Sequence, residues 1–116
     1  MKLSTMSDAQ ILAVADPIMD NLMDASTAID YDRHTRDFTE RARRALPRQA
    51  FGPICEQYQR DRGCFGPRAF VAIFRRTDSV AIIWRQTFTK ASGDFVAEMV
   101  LVERNGRYLV DHVMVF

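Results

Sequence analysis

Asn105-Gly106 falls between two β-rich runs, Val100-Leu101-Val102-Glu103-Arg104 and Arg107-Tyr108-Leu109-Val110. A two-residue type I′ turn needs positive φ at both central positions, and Asn-Gly adopts it at least cost. This dipeptide commits the C-terminal third of the chain to a hairpin. Ser79–Phe116 then reads as three long strands. The first is the β-branched and aromatic run from Val80 to Thr89, and Ala91-Ser92-Gly93-Asp94 supplies the turn residues that follow it. A fourth strand, Phe70 to Arg75, is expected before them, turning at Thr77-Asp78.

Short loops fix register, so cross-strand neighbours can be proposed. If Arg104 faces Arg107, then Val100 faces Asp111, Met99 faces His112 and Glu98 faces Val113. If Ala91 faces Asp94, then Gln86 faces Met99, Arg85 faces Val100 and Thr87 faces Glu98. Alternation of side chains puts Ile82, Trp84, Gln86, Met99, Tyr108 and His112 on one face. The other takes Ile83, Arg85, Glu98, Val100, Asp111 and Val113. Both faces are largely apolar, whereas an antiparallel sheet with one wet face should alternate cleanly between apolar and polar. Helices can cover one face. A second copy of the same sheet is the expected cover for the other, which predicts a homodimer.

A chain of 116 residues corresponds to one domain, spanning 1–116. With 47% apolar and 27% charged residues it has the composition of a soluble globular protein. No stretch approaches the roughly 18 apolar residues of a membrane span. The first residues, Lys2-Leu3-Ser4-Thr5, lack the apolar core of a signal peptide, so the cytoplasm is the expected location. Cys55 and Cys64, with two distant histidines, match no zinc spacing, and neither a metal nor a cofactor is expected. Charge is uneven. Residues 1–32 hold one Lys against six Asp, while residues 33–76 hold eleven Arg against four acids. Basic and acidic segments of this kind usually pair with one another. Arg41, Arg43, Arg44 and Arg48 would be the contacts of an anion- or nucleic-acid-binding module, but no nucleic-acid motif accompanies them.

The N-terminal half is helical by pattern. Ser7-Asp8-Ala9-Gln10 is a capping box. Ile11, Ala15, Ile18, Met19, Leu22 and Met23 then recur at helical spacing to about Ser26. Pro17 kinks this helix or splits it in two. Asp30-Tyr31-Asp32 breaks the pattern and a short helical piece follows to Phe38. Thr39 caps a segment from Glu40 to Leu46. A last helix runs from Gln49 to Arg62 with Phe51, Ile54, Cys55 and Tyr58 on one face, and Gly63 ends it. Helices first and a strand meander after them is an α+β arrangement, N-terminal helices packed on a curved antiparallel sheet of about four strands.

The amphipathic first helix, the Asp30-Tyr31 break, Phe38-Thr39, the Phe51 helix ending in Gly63 and the closing strands span most of the chain. Together they resemble the nuclear transport factor 2-like superfamily, the cystatin-like cone in which a curved sheet wraps a long helix. Within it, the chain is similar to a bacterial family of small stand-alone domains. The resemblance implies dimerisation through the sheet and an apolar cavity between sheet and helices. Some members are isomerases, dehydratases or epoxide hydrolases, and many have no demonstrated chemistry, so the fold does not decide the function.

Two polar groups interrupt the strands. Arg85, Glu98 and Asp111 share one face; inside a cavity, neighbouring carboxylates would raise one pKa and suit general acid/base work. Gln86 and His112 flank Met99, with Trp84 and Tyr108 nearby, and on the cavity side these five would form an apolar ligand site with a few polar groups. Asp111 cannot orient His112, because adjacent strand residues point opposite ways. His34, in a basic polar segment, is expected at the surface. The leading expectation is a homodimeric cone domain without catalysis, holding a small apolar or amphipathic ligand. The alternative is an acid/base enzyme, isomerase- or dehydratase-like, working with His112, Asp111, Glu98 or Arg85.

Overall fold

The computed structural model describes residues 2–116. A short 3-10 turn, Leu3–Thr5, leads into helix α1, Asp8–Ala28, and then come α2, Tyr31–His34, α3, Glu40–Ala45, and α4, Arg48–Arg62. Four strands follow: β1, Phe65–Arg75, β2, Ser79–Phe88, β3, Ala91–Arg104, and β4, Arg107–Val115. They form one antiparallel sheet in the order β1-β2-β3-β4, the expected α+β meander. β1 begins five residues before the expected Phe70. Pro67 is tolerated in it because β1 is an edge strand, where a missing N–H interrupts no ladder on the open side.

The capping box is complete: Ser7 accepts from the Gln10 amide, and the Gln10 side chain accepts from the Ser7 amide. α1 runs unbroken through Pro17. The carbonyl left without a donor by that proline belongs to Ala13, and both residues lie on the exposed side, where water can reach it. The buried side of α1 (Ile11, Ala15, Met19 and Leu22) meets Ile82, Trp84, Met99, Leu101 and Val110 in one core. Arg68 ties α1 to the inner face of β1 through Asp16 and Asp20, with its guanidinium 5.5 Å from the Trp84 ring centroid.

Strand register corrects the sequence reading in two places. Asn105 and Gly106 have φ of 56° and 78° and turn the β3–β4 hairpin as expected. The preceding turn lies at Thr89-Lys90, however, because Phe88 pairs with Ala91. Ser92-Gly93-Asp94 instead forms a bulge opposite Thr87, and Gly93 spends its φ of 92° there. Gln86 therefore faces Phe95 rather than Met99, Arg85 faces Val96 rather than Val100, and Ile83 rather than Thr87 faces Glu98. The slip is four residues. An even slip keeps every side chain on its expected face, so this error changes partners but not layers.

The second correction does change layers. Leu101 pairs with Val110, but Val100 pairs with His112 and Met99 with Val113. Asp111 is the extra residue of a bulge in β4. Beyond it the alternation inverts: Val113 and Val115 pack on the core, while His112 and Met114 leave the face they were expected to share with Trp84. The loop before α3 explains why the bulge sits here. The Val110 amide donates to the Asp37 carbonyl, the Thr39 amide to the Val110 carbonyl, and the Thr39 hydroxyl to Asp111 Oδ1 at 2.8 Å. That clip occupies the edge of β4 and turns Asp111 towards the helices.

Candidate functional site

Helices α1 to α4 and the C-terminal half of β4 enclose a half-open cleft of about 750 Å³, within the range usual for small-molecule pockets. Its walls are apolar: Met19, Leu22 and Met23 from α1, Phe51 from α4, and Val113 and Val115 from β4. The last two face it only because the Asp111 bulge inverted the strand. Ile54, Met114 and Phe116 stand at the margin, each about half exposed.

Four polar side chains reach the interior from helices. Ser26 comes from the last turns of α1, His34 ends α2, and Cys55 and Tyr58 lie one turn apart on α4. Ser26 Oγ lies 2.7 Å from the Tyr58 hydroxyl and 3.4 Å from Cys55 Sγ, so these three form one hydrogen-bonded cluster. Burial raises the pKa of the Cys55 thiol, the Ser26 hydrogen bond opposes the rise, and Glu56 adds to it. That thiol stays protonated and unreactive at neutral pH.

His34 contradicts its expected place at the surface. It is 9% exposed, its ring centroid 4.7 Å from that of Phe51 and 5.5 Å from that of Phe38. Its Nδ1 lies 3.0 Å from the Leu22 carbonyl. A carbonyl only accepts, so Nδ1 carries the proton and Nε2 holds the lone pair. Burial pushes the His34 pKa below the ordinary 6.5, opposed by the Leu22 hydrogen bond, and the ring is neutral at pH 7.

The residues singled out from sequence are dispersed. Trp84, Gln86 and Met99 are sealed in the core at 2% exposure or less, and Gln86 donates to the Gly66 and Thr87 carbonyls. Tyr108 is half-buried with its hydroxyl 3.9 Å from Met6 Sδ, away from the cleft. Of that set, only His112 borders the cleft. Its Nε2 lies 2.6 Å from Glu98 Oε2, a cross-strand pair that the inverted register creates. Asp111 sits at the cleft margin between the Thr39 hydroxyl and Arg41, the latter at 3.3 Å. Arg85 is exposed and pairs with Asp94 at 3.4 Å. The three groups expected to cluster, Arg85, Glu98 and Asp111, thus have three separate sets of partners. Arg43 donates to the Thr35 carbonyl and Arg48 pairs with Asp32, which ties down two of the basic helix residues. No helix among the described residues is long and apolar enough to cross a membrane.

No family model matches the chain, and no curated protein does. Solved structures match it at low identity. A five-substitution variant named Rd1NTF2_05 superposes with a TM-score of 0.62 at 13% identity, covering 89% of this chain and 96% of its own. An NTF2-like protein of unknown function from Pseudomonas putida gives 0.51 at 17% identity, covering 95% and 87%. A candidate polyketide cyclase from Sinorhizobium meliloti gives 0.50 at 10% identity, covering 86% and 94%. Together with the helices-then-meander order and the cleft between sheet and helices, these matches identify the fold as the nuclear transport factor 2-like cone.

Proposed function

We propose that the chain is a cone domain that binds a small apolar or amphipathic molecule in the cleft between its helices and β4, works as a homodimer and carries no catalytic machinery of its own. The cleft carries the first part of this reading: about 750 Å³ of half-open space, apolar walls and a few polar groups converging from helices. A saturable neutral probe tests it. N-phenyl-1-naphthylamine should brighten on binding with one site per chain. Ala45 is exposed and lines the cleft from α3, so Ala45→Trp should fold normally yet fill the space and abolish the signal. Non-saturable binding, or equal binding by the variant, would remove the cleft from consideration.

The dimer reading is supported by the outer sheet face. Ile83 and Val100 lie there half-buried beside the exposed Phe74 and Met114, and the core contacts of α1 are made with the opposite face. The acid/base alternative is the weaker reading. Glu98 and His112 are engaged with each other, Asp111 with Thr39 and Arg41, and Arg85 with Asp94. A general base needs a lone pair within reach of a substrate proton; Glu98 and Arg85 do not line the cleft, and Asp111 and His112 meet it from β4 with partners of their own.

A further inference from the structure

We infer that His34 Nε2 is the polar anchor of the cleft, and that the molecule held there is a neutral amphiphile whose alcohol or phenol hydroxyl donates to that nitrogen. The inference rests on the cleft being a ligand site and adds the chemistry of what it selects.

The geometry sets the polarity. Nδ1 is committed to the Leu22 carbonyl, which leaves Nε2 as an acceptor. No described residue donates to it. The ring is nine-tenths buried, lines the cleft, and is fixed in place by Phe38 and Phe51.

The remaining polar groups are already engaged. Ser26, Tyr58 and Cys55 share two hydrogen bonds, and at the margin Arg41 pairs with Asp111. Among the described groups of the interior, His34 Nε2 is thus the buried acceptor that meets no donor. A ligand carboxylate would set lone pair against lone pair there. Its nearest described cation in the cleft lining is Arg41, whose side chain is 74% exposed and held by Asp111. A ligand with no polar group would displace water from Nε2 and return nothing. A hydroxyl satisfies it while the apolar body fills the walls.

Three naphthalenes separate these cases: 2-naphthol, 2-methoxynaphthalene and 2-naphthoate, titrated into the wild-type chain and into His34→Phe. The wild type should favour naphthol over the ether by about tenfold, the worth of one well-made hydrogen bond, and should bind naphthoate weakest. His34→Phe should lose the preference for naphthol while keeping its affinity for the ether. Equal affinity of naphthol and ether in the wild type, a preference that survives in His34→Phe, or tightest binding of naphthoate would each overturn the inference and leave the cleft reading standing. Failure of naphthol and ether alike, with no response to N-phenyl-1-naphthylamine, would overturn both. Nitrogen-15 spectra of the wild-type imidazole keep the test independent of the variant's folding. They should show the Nδ1–H tautomer, with the Nε2 resonance moving on naphthol but not on the ether. An Nε2–H tautomer overturns the inference.

Discussion

A proton added to His34 has no acceptor waiting at Nε2 and must sit between two aromatic rings beneath α1. Burial is the larger influence on its pKa and lowers it; the Leu22 hydrogen bond offsets this in part. The unfolded chain, with His34 near its ordinary 6.5, therefore binds a proton at a pH where the folded chain does not. Stability is then fully present above that value and falls as pH drops from it towards the lower folded-state pKa. The urea midpoint of the wild type should decline across this window. In His34→Phe the decline should shrink to what the rest of the chain contributes, and an unchanged slope would show that His34 titrates normally. The residue was legible in principle. Tyr31, His34, Thr35 and Phe38 recur at helical spacing and share a buried side, but the Asp and Arg residues among them make the segment read as surface.

Elements were easier to read than the breaks within them. The capping box, the Thr39 cap, the Gly63 stop and the Asn105-Gly106 turn all have local physical causes and lie where those causes put them. The bulges have no comparable signature. Asp111 is an unusual strand residue, and its reason is 72 residues away in the Thr39 hydroxyl. Thr39 serves two partners, accepting from the Ala42 amide at 3.1 Å and donating to Asp111 at 2.8 Å. Thr39→Ala should cost about 1–2 kcal/mol from the lost cap and the unpaired carboxylate, and Thr39→Ser should restore most of it in chemical denaturation. Glycine turns give a second comparison. Gly106→Ala meets open space and only the strain of φ 78°, so it should cost about 1 kcal/mol. Gly63→Ala would set a Cβ 2.3 Å from Thr89 Oγ1 at φ 83° and should cost more. Equal costs would mean that the hairpin end near Thr89 yields easily.

At the scale of the whole molecule, the sequence sorted β2 and β3 into their two layers despite a wrong register, because a slip of four residues preserves parity. It mis-sorted the end of β4 because a single bulged residue does not. The corrected layers keep the argument for self-association and move its centre. His112 and Glu98 now sit as one bonded pair on the outer face, surrounded by Ile83, Val100 and Met114. Burying that pair against a second sheet costs less than burying its two polar groups apart, since each already has its partner. Light scattering should therefore give twice the 13.3 kDa chain mass at micromolar concentration. Ile83→Arg, at the middle of the face, should reduce it to one chain, because an uncompensated charge in an apolar interface destabilises by several kcal/mol. The β1 edge offers a rival route, with Phe70 and Val71 exposed beside an open strand. Val71→Arg separates the two. If it gives monomers while Ile83→Arg remains dimeric, association runs through the edge and the outer face needs another partner. A wild-type chain that stays at 13.3 kDa removes both.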